Sequence, residues 1–173
     1  VDEWGGDVVA TASQKGWMAP PGLAMVSISA KGWEAHAAAK MPRSYWDFSA
    51  AKHYLERNQT PWTPAVSVLY SLDKGLEMMD REGLDQVHAR HARVGALVRD
   101  GVRALGLKLL VKDERYASNT VTAVWAPEGV EANKIIQAVR AENDIELAGG
   151  QGSLSGKIFR VARFAEHLLP THA

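Results

Sequence analysis

The sequence contains no cysteine. Disulfides, thiolate zinc sites and cysteine nucleophiles are therefore excluded from this stretch of protein. It has no surplus of charge of either sign: 20 Lys and Arg stand against 20 Asp and Glu, a formal net charge of zero. No broad cationic field exists to hold nucleic acid or an anionic membrane surface. No apolar run approaches the roughly 20 residues that span a bilayer. The first six residues, Val1-Asp2-Glu3-Trp4-Gly5-Gly6, lack the basic and apolar regions of a secretory signal. A cytoplasmic location is the expectation, and the absence of an initiator Met suggests a start further upstream. Histidine is sparse and badly placed for metal. His88 and His91 sit three apart on an expected helix with no carboxylate motif beside them, and His91 reads as a half-buried helix residue. What is present is ordinary globular material, 46% hydrophobic and 23% charged over 173 residues, enough for a real core. The six tryptophans form no stripe with basic residues and suit core and interface.

Along the chain, 7–12 (DVVATA) and 23–29 (LAMVSIS) read as short apolar strands. A turn at 13–16 follows the first, and Pro20-Pro21-Gly22 sets a rigid bend before the second. Strands of this apolar kind predict a parallel-type arrangement covered on both faces. Residues 31–40 read as a short helix and 41–63 as a mixed connecting segment. Leu69, Leu72, Leu76 and Met79 recur at helical spacing and predict a helix over 64–81, with Pro64 in its first turn. Leu84, Val87, His91, Val94 and Val98 predict another over 84–105, capped by Gly106. The remainder alternates: strands at 107–112 and 120–125, a helix at 131–142, a short strand at 145–147, a glycine-rich loop at 149–156 and a last strand at 157–162. Residues 1–40 are too few for a core of their own and read as the edge of a larger sheet. Residues 64–173 read as a small α/β domain, helices packed on one face of an antiparallel or mixed sheet.

Lys15 occupies the turn between two apolar strands, at a sheet end, where α/β enzymes place ligands. An amine partly desolvated there favours its neutral form, which Schiff-base chemistry requires. Taken alone, a lysine in a turn is more often a solvated surface residue. Thr60 and Thr63 stand in Asn58-Gln59-Thr60-Pro61-Trp62-Thr63-Pro64-Ala65, just ahead of an expected helix. Hydroxyls and backbone N–H groups at a helix start suit an anion, although Thr-Pro pairs also simply start helices. Arg160 lies on the last strand, behind glycines that precede a strand and so make a weak dinucleotide motif. By itself it reads as a strand-edge surface residue.

Together these segments carry a resemblance. The run from Asp7 to Ala24, with Ser13-Gln14-Lys15 and then Pro20-Pro21-Gly22, resembles the cofactor-lysine segment of the class V pyridoxal-phosphate (PLP) aminotransferases, in particular the serine–pyruvate/alanine–glyoxylate group. The resemblance implies a fold-type I enzyme whose Lys15 is bound to pyridoxal 5'-phosphate and whose Gln14 helps hold its phosphate. It implies that Thr63, and secondarily Thr60, reach the phosphate of a neighbouring subunit's cofactor in a homodimer. It implies that Arg160 grips the substrate's α-carboxylate, as a guanidinium fork matches a carboxylate. On this resemblance 1–40 is a remnant of the large cofactor-binding domain and 64–173 the small C-terminal domain, shortened at its end. The implied reaction moves an amino group from a small amino acid such as alanine or serine to a 2-oxo acid such as glyoxylate. The match covers about the second half of a family member. The expected upstream parts are the aspartate beside the pyridine nitrogen, the aromatic residue stacked on the ring and the main phosphate loop. The 161–173 tail departs from the family pattern, which suggests a truncation or frameshift near Arg163. The alternative reading, from a different class, is a non-catalytic remnant that dimerises or binds a partner.

Overall fold

The computed structural model describes residues 2–162. The departing tail from Arg163 onward lies outside them. The chain divides between Met78 and Met79 into two compact units.

In the first unit, β1 (Val8–Ala12) and β2 (Ala24–Ile28) pair antiparallel, in register from Val8 opposite Ile28 to Ala12 opposite Ala24. The expected parallel-type arrangement is corrected here. A parallel pair needs a crossover of a dozen or more residues, usually helical, and the loop 13–23 turns straight back instead. Both strands leave apolar side chains exposed, Val8 and Val26 among them.

Asp7 ties the hairpin's open end to the first helix, α1 (Ala30–Ala38). Its Oδ1 accepts from Ser29 Oγ at 2.8 Å, its Oδ2 from Lys31 Nζ at 2.9 Å, and its carbonyl from Ser29 N at 2.9 Å. Ser29 Oγ in turn caps α1 by accepting from Gly32 N. Lys31 first, and Ser29 second, hold the Asp7 carboxyl below its usual range. The clamp is thus present above the unfolded-state pKa and is lost as pH falls through the folded one. Gly32 must be glycine, since a Cβ there would lie 2.7 Å from Asp7 O.

The connecting segment hides a helix that hydrophobic spacing does not reveal, α2 (Phe48–Leu55), capped by Asp47 accepting from Ser49 N at 2.9 Å. His36 ties α1 to it. Arg43 Nη1 donates to both His36 Nδ1 and His36 O at 3.0 Å. A guanidinium only donates, so Nδ1 is the acceptor and Nε2 carries the ring hydrogen toward Ser49 Oγ at 2.8 Å. Trypsin is therefore expected to nick the exposed coil between α1 and α2 at Lys40 before Arg43, whose side chain is engaged. Peptide masses at early times check this; a first cut at Lys15 would count against a closed loop there.

α3 (Val66–Glu82) begins two residues later than its proline suggests. Leu72 and Gly75 are its buried positions. A Cβ on Gly75 would stand 2.5 Å from Trp17 O, and Gly22 would meet Val68 Cγ2 at 3.2 Å. The helix thus lies directly against the loop that carries Lys15.

The second unit holds α4 (Leu84–Ala104), α5 (Ala132–Asn143) and a three-stranded antiparallel sheet. The sheet order is β3 (Val121–Trp125), β5 (Ile158–Ala162), β4 (Ala148–Gly149). Its core is Val102, Val124 and Phe159, joined by Val98 from α4 and Ile135 and Ile136 from α5. Both helices therefore serve one cluster. The strand expected at 107–112 reduces to a single bridge, Leu109 opposite Val124, because the backbone leaves β3 for a short turn capped by Asp113. The one expected at 145–147 forms instead at Ala148–Gly149. Asp144 ends α5 in the left-handed region, and the chain reaches β5 only after Leu147.

Gly150 closes the glycine-rich loop. A Cβ there would collide with the Leu154 carbonyl and stand 2.8 Å from Ile158 Cγ1. Gly150→Ala is expected to destabilise this unit by about 1–3 kcal/mol. Gly101, on α4, has nothing within 4 Å of its would-be Cβ, so Gly101→Ala is expected to stabilise by about 0.5–1 kcal/mol. Urea midpoints of the two variants should move in opposite directions. Among the described residues no helix is long and apolar enough to cross a membrane.

Candidate active site

Lys15 and Gln14 sit side by side at the exposed tip of the loop between β1 and β2. The backbone around them is fixed from several sides. Met18 N donates to Lys15 O at 3.0 Å, with Met18 itself in the left-handed region at φ 59°. Trp17 Nε1 donates to Thr11 Oγ1 at 3.0 Å, tying the turn back to β1. Ala19 N donates to Ser13 O at 3.0 Å. The sheet-end position expected of the lysine is found, but partial desolvation is not: Lys15 is exposed among the described residues. The result is a primary amine held out on a rigid turn, a geometry suited to covalent attachment of a carbonyl compound.

Thr60 and Thr63 lie in the same unit, in the segment before α3. Trp62 anchors that segment. Its ring stacks on Tyr45 at 5.0 Å, and its Nε1 donates to Tyr45 O at 3.1 Å. Thr60 Oγ1 donates to Trp62 O at 2.6 Å, so its hydrogen is already committed and only its lone pairs face outward. An anion requires donors, which favours Thr63, an exposed residue whose hydroxyl makes no such bond among the described residues. Thr63 stands further from the helix start than the sequence suggests, because α3 starts at Val66 and not at Pro64.

Arg160 belongs to the second unit, on the central strand β5. Its register partners are Ala123 on β3 and Ala148 on β4, small residues that leave room for a guanidinium. Its Nε donates to Gly149 O at 2.9 Å. This orients the fork and leaves the Nη1–Nη2 edge for a carboxylate.

The sequence pattern of the aminotransferase class-V family matches residues 1–165. The chain belongs to that family. Among relatives of this class-V chain, a Synechococcus protein named soluble hydrogenase, small subunit, is 46% identical over 93% of the chain and 41% of its own length. The L-aspartate–glyoxylate aminotransferase of Paracoccus denitrificans is 40% identical over 93% and 41%. In three dimensions the chain is similar to the pyridoxamine–pyruvate aminotransferase of Mesorhizobium loti, with a TM-score of 0.88 at 34% identity over 93% of the chain and 42% of that protein. The fold is that of fold-type I aminotransferases. The class-V chain spans about two fifths of the length of the curated relatives it matches.

The cofactor expected of this fold finds a fitting group in the first unit, an exposed amine on a braced turn at Lys15. Sequence reasoning assigned no role to three supports of the site, Ser13, Trp17 and Gly75. Ser13 is fully buried, and its place in the Ser-Gln-Lys run is the one signal that pointed to it. Gly75 interrupts an otherwise apolar helix stripe, a sign of close backbone approach.

Proposed function

We propose that this chain is the lysine-bearing and carboxylate-binding part of a PLP-dependent transaminase, moving an amino group from a small amino acid such as alanine or serine to a 2-oxo acid such as glyoxylate. The observation that carries the reading is Lys15, presented on a braced turn within a chain of the class-V family. On this reading 1–40 belongs to the large cofactor domain, 41–63 connects, and 64–173 forms the small domain of a cytoplasmic homodimer.

Bound PLP supplies an electron sink for charge developing at the substrate's Cα. The residues of this chain do the rest. Lys15 Nζ would hold the cofactor and, once free, would take the proton from Cα as general base and deliver it to the cofactor's C4′ as general acid. Gln14 donates a hydrogen bond to the phosphate, and Thr63, with Thr60 second, reaches the phosphate of the neighbouring subunit's cofactor. Arg160 receives the α-carboxylate on its Nη edge.

Absorbance of the full-length enzyme with and without PLP, followed by borohydride reduction and peptide mapping, tests the reading. A PLP-dependent band and a pyridoxyl tag on Lys15 are expected. Tagging confined to other lysines would remove the assignment. The 173-residue chain alone is expected to take up PLP weakly and at scattered lysines, since it carries only part of what its relatives contain. Tight one-to-one uptake by the chain alone would show that it is more than a part.

A further inference from the structure

The geometry points to Ser13 as the positioning residue for Lys15, a role carried by its buried hydroxyl. The inference rests on the reading of Lys15 as the cofactor lysine.

Ser13 follows β1 directly and faces Leu23, the residue just before β2. Its N–H donates to Leu23 O at 3.1 Å, as the ladder would continue. In a regular antiparallel pair the reciprocal bond runs from Leu23 N to Ser13 O. Here it does not. Leu23 N donates instead to Ser13 Oγ at 3.3 Å. The side chain takes over as acceptor, and the carbonyl thus released accepts from Ala19 N at 3.0 Å. The Ser13 hydroxyl hydrogen goes to Pro20 O at 2.6 Å. That donation meets a local need, because Pro20 and Pro21 have no N–H with which to close the returning strand. One residue, with no exposed surface, therefore fastens positions 19, 20 and 23. Residues 14–18 are left as a short closed loop with Lys15 at its tip.

The argument depends on the hydroxyl. Without it, Leu23 N and Pro20 O lose their partner in a half-buried place beside a fully buried residue, where water reaches only from one side. The most direct repair is for Ser13 O to return to Leu23 N. That would release Ala19 and open the closed loop. β1 and β2 would remain paired while Lys15 lost its fixed base. Ser13 touches neither cofactor nor substrate on this account; it acts through the backbone.

The test uses the full-length protein, with PLP as probe. Borohydride-trapped pyridoxyl is quantified at Lys15 and at Lys31 and Lys74, with Ser13→Ala and Ser13→Thr beside the wild type. In the wild type Lys15 should dominate; if it is not tagged at all, the cofactor-lysine reading fails, and the inference with it. If Lys15 dominates in the wild type, Ser13→Ala should lower its tagging rate by about ten- to a hundredfold, the scale of a misplacement near 1 Å. Lys31, ion-paired to Asp7 at the hairpin's other end, should keep its wild-type rate. Unchanged Lys15 tagging in Ser13→Ala would overturn the inference. If Lys31 tagging rises as well, the hairpin has opened, and Ser13→Thr decides. Retention of most Lys15 tagging with the hydroxyl restored supports the role, and its loss overturns it. Amide exchange at Ala19 gives a second readout independent of the cofactor: faster in Ser13→Ala while Val9 and Ser27, a hydrogen-bonded pair of the β1–β2 ladder, stay protected. Equal protection of Ala19 in wild type and variant would likewise overturn it.

Discussion

Lys15→Ala is expected to leave the full-length enzyme without measurable transamination. Two contributions vanish together. The first is the covalent hold on the cofactor, which rests on the only amine at the tip of the 13–23 loop. The second is proton transfer at Cα by a positioned general acid–base, worth about 10²- to 10⁴-fold by itself. Folding should survive, because Lys15 is exposed and, among the described residues, no hydrogen bond to its side chain braces the loop; the bracing runs through its backbone carbonyl and through Ser13 and Trp17. A spectrum without the PLP-dependent band, an unchanged urea midpoint and lost turnover would together separate a chemical role from a structural one. Normal turnover in this variant would defeat the assignment of Lys15.

Arg160→Lys carries the second large effect. An ammonium cannot reproduce a two-pronged contact with a carboxylate, and losing a charged hydrogen bond of this kind costs about 2–5 kcal/mol. The specificity constant for the amino donor should fall accordingly, while the PLP-dependent spectrum remains. The structure adds a second consequence. Arg160 Nε also donates to Gly149 O across the β4–β5 pair, so the variant should lose a little stability in the second unit. The measurement is therefore double: kinetics against donor concentration, and a urea midpoint. A midpoint shift with an unchanged specificity constant would make Arg160 a structural strut and refute its role as a clamp.

These two residues differ in how they could be found. Lys15 and Gln14 were legible as candidates because the Ser-Gln-Lys run and the Pro-Pro-Gly bend are contiguous, and contiguous residues advertise local chemistry. Arg160 was legible only through the glycine-rich loop that precedes it; nothing in the sequence showed that Gly149 would orient its fork. Thr63 was placed at a helix start that the chain adopts two residues later, since a proline marks the region of a helix's first turn without fixing its first residue. The helix at Phe48–Leu55 went unread because it is short and lacks a buried stripe. It is held by the Asp47 cap and by His36, groups that hydrophobic spacing does not report.

By itself the sequence determined the α/β class, the long helices α3, α4 and α5 close to their observed bounds, the strands β1, β2, β3 and β5, and the lysine to watch. Each of these follows from information within a few neighbouring residues: side-chain periodicity, β-branched runs, prolines and a short motif. Only the tertiary structure decided that β1 and β2 run antiparallel, that 107–112 contributes a single bridge, and that Ser13 exchanges its carbonyl for its hydroxyl in the ladder. Those outcomes turn on which backbone N–H meets which carbonyl across many intervening residues. Every residue but proline offers the same donor and acceptor, so the identity of the side chains does not reveal the pairing until the chain has folded.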